Sequence, residues 1–209
     1  MGQYYRLVNV DKKEAAECAG ALADLGGVKL TSSCFVGNGF TNLAASLLSG
    51  RWRGDRVMYV GDYAWDEVGG DWAIFGEQMG ALRELRKAGV ISADPYSDGS
   101  YKDVSPLVAA GEIGIKQARY VCDFDLGAYY DREAMPVAWE TGDEKVRYDP
   151  LLLLIAQGNG LGGGDYEAED GSMDRVGWWA CHEIAQLDEV PDGLEDVGCP
   201  FWGGWPEAE

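Results

Sequence analysis

Tyr4 to Val10 reads YYRLVNV, alternating aromatic or β-branched residues with polar ones. That alternation marks a strand with one face toward a core. Arg119 to Phe124 reads RYVCDF, 114 positions further on, and Asp125 follows it as Asp11 follows the first. The fold turns on this pairing, because the elements between the two stretches then take the same order in each half.

In the first half, Lys12 to Leu25 has helical composition and stops at Gly26-Gly27. Phe40 to Leu48 (FTNLAASLL) predicts a second helix closed by Gly50. Arg56 to Val60 (RVMYV) predicts a strand that ends in Gly61-Asp62-Tyr63-Ala64. A third helix is expected from about Ile74 to Ala88, stopped by Gly89, and Asp94 to Ser105 reads as loop. In the second half, Asp149-Pro150 supplies an acidic N-cap with proline at the first helical position. The helix Leu151 to Ala156 then ends near Gly158, and Asp174-Arg175-Val176 opens a strand, RVGWWACHEI, as Asp55-Arg56-Val57 does. The offsets are 114, 108 and 119 residues, so the loop Gly158 to Gly171 carries an insertion of about eleven. The expectation is an α+β fold, an antiparallel or mixed sheet with packed helices, in one globular domain spanning 1–209. Within it lie two diverged copies, about 1–90 and 115–190, and an acidic aromatic tail, 191–209.

Composition fits a globular chain: 209 residues, 46% apolar, eight Trp and eleven Tyr. No run of 18 apolar residues occurs, so no membrane span is expected. The start MGQYYR lacks the basic region and apolar stretch of a signal peptide, and Arg6 stands where myristoylation wants Ser or Thr. A cytoplasmic setting is the expectation. Cys18, Cys34, Cys122, Cys181 and Cys199 are odd in number and scattered, which points to reduced thiols. With one histidine in the chain, no zinc site is expected, and no cofactor motif occurs.

Net charge is −19, unevenly spread. From Asp165 to Glu209 there are thirteen acids and one Arg, a net of −12, against −7 for the preceding 164 residues. Such a field repels nucleic-acid phosphates and attracts basic surfaces. Arg51, Arg53 and Arg56 form a short basic cluster in a strongly acidic chain, so direct nucleic-acid binding is not expected.

Three segments carry a family resemblance: the opening MGQYYRLVNVDKKE, WRGDRVMYVGDYA (Trp52 to Ala64) and GNGLGGGDY (Gly158 to Tyr166). Together they resemble a group of bacterial and phage-borne proteins of unknown function. That group begins MGQYY and carries a GDR…GDYA segment. This chain departs from it in placing the glycine loop far after GDYA. The resemblance implies a mobile-element or accessory-gene setting and assigns no activity.

Two function classes follow. In the first, the chain is an acidic binding protein, a nucleic-acid mimic that blocks a basic surface of a partner. The phage resemblance makes a defence nuclease, CRISPR effectors included, a natural target, which is an anti-CRISPR-like role. The partner-facing candidates are Asp165, Glu167, Glu169, Asp170, Asp174, Glu183, Asp188 and Glu189, with Trp202 and Trp205 as aromatic anchors. In the second, the chain is a hydrolase using His182 with Asp62, Tyr63 and Asp66 near the GDYA segment. A pocket gathering Asp62, Tyr63 and His182 favours the enzyme; grouped surface acids favour the binder. The glycine loop 158–165 lacks a following helix and a Lys-Ser/Thr pair, so phosphate binding there is disfavoured.

Overall fold

The computed structural model describes residues 3–17, 29–67, 80–114, 116–141, 144–158, 175–199 and 201. The chain begins with strand β1 (Tyr5–Asn9), hairpin partner β2 (Glu14–Glu17), helix α1 (Gly39–Ser49) and strand β3 (Asp55–Gly61). Helices α2 (Ala64–Glu67) and α3 (Gly80–Lys87), short strand β4 (Lys102–Asp103) and helix α4 (Ser105–Ala109) complete the first half. The second half brings β5 (Tyr120–Asp123), β6 (Ala128–Asp131), β7 (Val137–Thr141), β8 (Glu144–Arg147) and helix α5 (Leu151–Leu154). It closes with β9 (Ala156–Gln157), β10 (His182–Leu187) and β11 (Glu195–Asp196).

The fold is α+β. A nine-stranded mixed sheet runs in the order β11-β6-β5-β10-β3-β1-β2-β4, with β9 added parallel to β3 and β7–β8 a separate hairpin. On one face, Phe40, Leu43 and Leu47 of α1 and Leu151 to Leu154 of α5 pack with Trp179 over Leu7, Val57, Tyr59, Val121 and Ile184. On the other face, Leu82 and Leu85 of α3 cover Val8, Met58 and Val60. Asn38 starts α1 by accepting the backbone N–H groups of Phe40 and Thr41 with its side chain.

The helix expected over Lys12 to Leu25 is corrected in its described part: Glu14–Glu17 is a strand paired antiparallel to β1. Alanine favours a helix by only a fraction of a kcal/mol per residue. Pairing with β1 outweighs that, and so does the Glu14 carboxylate, which accepts from Arg51 and from Trp52 Nε1 at 2.8 Å. The rest of that segment, 18–28, lies outside the described residues, as does 74–79 of the third helix. The expected loop 94–105 holds β4 and the first residue of α4. The helix after Pro150 stops at Leu154, and Ala156–Gln157 joins the sheet.

A second correction concerns Arg175 to Cys181, expected as strand and found as turns, so the strand begins only at His182. Here the backbone N–H groups of Gly177 and Trp179 donate to the carbonyls of Leu153 and Leu154, at 2.9 and 2.8 Å. Satisfying that helix end overrides the aromatic strand preference, and Trp179 is fully buried while Trp178 stays exposed.

The hydrogen bonds of the two halves correspond in detail. Val10 N–H donates to Arg56 O at 2.9 Å, and Phe124 N–H to Glu183 O at 3.0 Å. Arg56 N–H donates to Asp11 Oδ2 at 2.7 Å, and Glu183 N–H to Asp125 Oδ2 at 2.7 Å. At the sheet edges, Lys102 N–H donates to Lys13 O and Glu195 N–H to Gly127 O, both at 2.8 Å. Even the left-handed residues match: Lys13 (φ 52°) with Gly127 (φ 65°), and Gly54 (φ 76°) with Cys181 (φ 65°). The counterpart of Asp55 is therefore His182, 127 positions on, and not Asp174 as the sequence offset of 119 suggests. Strands β3 and β10 meet antiparallel at the seam, with Arg56 opposite Glu183.

Candidate functional site

The seam is where the two halves differ most in charge. In the first half, the Asp11 carboxylate receives Arg56 Nε at 2.9 Å and Nη2 at 2.6 Å. Burial alone would raise the Asp11 pKa, but the Arg56 hydrogen bonds more than offset this and hold it below the usual carboxylate value. Asp55 is met by the Lys12 ammonium and by Asn9 Nδ2, the latter at 2.7 Å. Two acids and two bases cancel.

In the second half three counterparts change toward negative charge, while His182, which stands where Asp55 stands, changes the other way. Glu183 stands where Arg56 stands, Leu126 where Lys12 stands, and Asp123 where Asn9 stands. Asp123 and Asp125 then act on His182, while Glu183 stands opposite Arg56, whose guanidinium Asp11 already holds. Asp123 is fully buried; its Oδ1 accepts the backbone N–H groups of Asp125 and Leu126 at 2.9 and 3.0 Å. Its Oδ2 lies 2.6 Å from His182 Nδ1. That hydrogen bond raises the His182 pKa above 6.5 against the opposing effect of burial. The His182 side chain keeps 26% of its exposure, so the imidazole is held from inside and open outward.

Asp123, Asp125 and His182 each offer a ligand atom within 4.8 Å of the others. A divalent cation held there would have to displace the proton between Asp123 and His182. As it stands, the arrangement is a carboxylate–imidazole dyad beside two exposed carboxylates.

The hydrolase candidates do not gather. Asp62 and Tyr63 follow the far end of β3, where Asp62 accepts the Tyr4 backbone N–H at 3.1 Å, and Asp66 lies in α2. His182 pairs with Val57, five positions back along β3, roughly 16 Å away at strand rise. Nor is a thiol activated nearby: burial pushes both Cys181 and Cys122 up to about 11.

Of the partner-facing candidates, Glu183, Asp188 and Glu189 are described and exposed, Glu183 at the start of β10 and the other two just past its end. Asp165, Glu167, Glu169, Asp170, Asp174, Trp202 and Trp205 lie outside the described residues. Phe201 is buried in the main core, with Cys199 packed against it. Sequence reasoning passed over Asp123, Asp125, Asp192, Glu195 and Asp196 as site residues. Asp125 was the one with a signal, its correspondence to Asp11.

The chain matches no protein-family model, no curated protein and no solved structure. Among the described residues, no helix is long and apolar enough to cross a membrane.

Proposed function

We propose that the chain is an acidic binding protein whose second half receives basic side chains from a partner protein and so blocks the surface that carries them. One observation supports this above others. Between His182 and Cys199 there are six acids and no Lys or Arg, and all six (Glu183, Asp188, Glu189, Asp192, Glu195, Asp196) are exposed. Asp188 pairs with Lys116 at 3.2 Å; among the described residues the other five make no ion pair. Beside Asp125, Glu183 replaces the base that neutralises the matching acid in the first half. A partner's arginine entering there would reproduce the Asp11–Arg56 pair across an interface.

The partner class that fits is a nucleic-acid-binding protein, whose phosphate-binding surface is lined with Lys and Arg. Within that class, the sequence resemblance suggests a host defence nuclease. Grouped like charges would steer association and make it fall with salt. The test is capture of such a nuclease from a host lysate, followed by affinity measurement at about 0.05 and 0.5 M salt. The reading expects steep weakening with salt, and loss of binding when Asp188, Glu189, Asp192 and Glu195 are all changed to Lys. Equal affinity in both salts, or unchanged binding by the quadruple variant, would overturn it.

A second reading, proton transfer at His182, is favoured by the 2.6 Å contact with buried Asp123. It expects turnover of an ester or glycoside substrate that disappears in His182→Asn; no turnover across such a panel removes it.

A further inference from the structure

We propose that the cavity at the foot of the β5–β6 hairpin, on the side of β8, binds an oxyanion group, phosphate or carboxylate, carried by a small molecule. It encloses about 600 Å³, within the range of about 300–1,000 Å³ that small ligands occupy. Arg119, Arg132, Lys145 and Arg147 line it, with Glu133 and Asp188 as its acids. Four of the chain's 17 bases thus meet at one cavity in a protein of net charge −19. Their sequence positions give no cluster; the β5–β6 pairing and the β8 strand bring them together.

The acids are already committed: Glu133 sits 3.4 Å from Arg119, and Asp188 is 3.2 Å from Lys116. Arg119 already spends Nε and Nη2 on Asp131, and the donors toward the cavity come from Arg132 and Arg147. Arg132, 4% exposed, places Nε and Nη2 on Asp149 at 2.8 and 2.7 Å. Its Nη1 reaches only Gln117 Oε1 at 3.4 Å, the outer limit of a hydrogen bond. Arg147 gives Nη1 to Met135 O at 2.7 Å. A guanidinium carries five N–H donors in a planar fork, so both arginines hold more donors than protein acceptors fill. Two such forks facing one space match the oxygens of a phosphate or carboxylate. Distant acids do not forbid this, because charges beyond about 8 Å are largely screened at physiological salt.

The experiment titrates inorganic phosphate, and separately succinate, into the intact protein while following backbone and arginine Nε resonances. The proposal expects saturable shifts at Gln117, Arg119, Arg132 and Arg147 with at least one probe. Phosphate alone acting assigns a phosphate ligand, and succinate alone a carboxylate. Arg147→Ala, checked for folding by circular dichroism, is expected to weaken binding by about tenfold or more. Lys145→Ala, on the exposed strand surface, gives the same direction if Arg147→Ala fails to fold. Absence of shifts with both probes, or shifts unchanged in both variants, overturns the proposal. Neither result bears on the acidic run 183–196; lysine variants of Asp192 and Glu195, which do not line the cavity, serve as the control.

Discussion

Arg56 and Glu183 stand opposite one another across β3 and β10, and each is also the other's counterpart in the two halves of the sheet. A base and an acid thus occupy equivalent places, each beside an aspartate that accepts its backbone N–H at 2.7 Å. The geometry of the two places is the same. Their electrostatics are opposite, and that difference gives the second half its unbalanced charge.

Glu183→Arg should therefore complete, with Asp125, the pair that Arg56 makes with Asp11. Both positions are solvent-exposed, so the gain is small, about 0.2–1 kcal/mol. Urea denaturation measures it. Because Glu183→Arg also sets two arginines opposite one another across β3 and β10, the pair is read against Asp125→Asn/Glu183→Arg: equal stability of the two variants would show that Asp125 is not placed as Asp11 is.

His182 should titrate with a midpoint above 6.5, because the proton that charges it is shared with Asp123. A raised folded pKa contributes stability that is fully present below about pH 6.5 and lost as pH rises through the folded midpoint. His182→Asn should flatten stability against pH across that window. Imidazole resonances followed by NMR give the midpoint directly, and a value below 6.5 contradicts the dyad.

Arg132 and Asp149 form a buried ion pair, 4% and 0% exposed, and Tyr130 Oη also donates to Asp149 at 2.8 Å. Removing one partner strands the other charge away from water. Asp149→Asn is expected to cost about 3–5 kcal/mol in chemical denaturation. A loss under about 1 kcal/mol would mean that water reaches the pair.

Gly61 ends β3 where no side chain fits. A Cβ there would lie 2.1 Å from Gln3 Oε1 and 3.3 Å from the Tyr5 ring, and Gln3 is fully buried. Gly61→Ala should cost about 1–3 kcal/mol through overpacking. Unchanged stability in thermal melts would show that Gln3 moves freely.

Strands β1, β3 and β5 and helix α1 were legible because alternation and capping act over short stretches that the sequence displays whole. Glu14 to Glu17 was not, since its strand depends on β1 and on Arg51 and Trp52 reaching Glu14. Arg175 to Cys181 was misread because the carbonyls at the end of α5 claim its N–H groups. The charge contrast at the seam depends on register: only the pairing of β3 with β10 sets Glu183 against Arg56 and makes His182 the counterpart of Asp55. The matching of Asp11 with Asp125 was visible in the sequence; what each carboxylate faces was not.

The central claim, that the acids of the second half act together as a receptor for basic side chains, is tested most directly by titrating an arginine-rich peptide while following backbone amide resonances. The account predicts shifts concentrated at Asp125, Glu183 and the stretch from Asp188 to Asp196, and weakened by Glu183→Arg. Shifts spread equally over first-half acids such as Glu84, Asp94, Asp98 and Asp103 would contradict it.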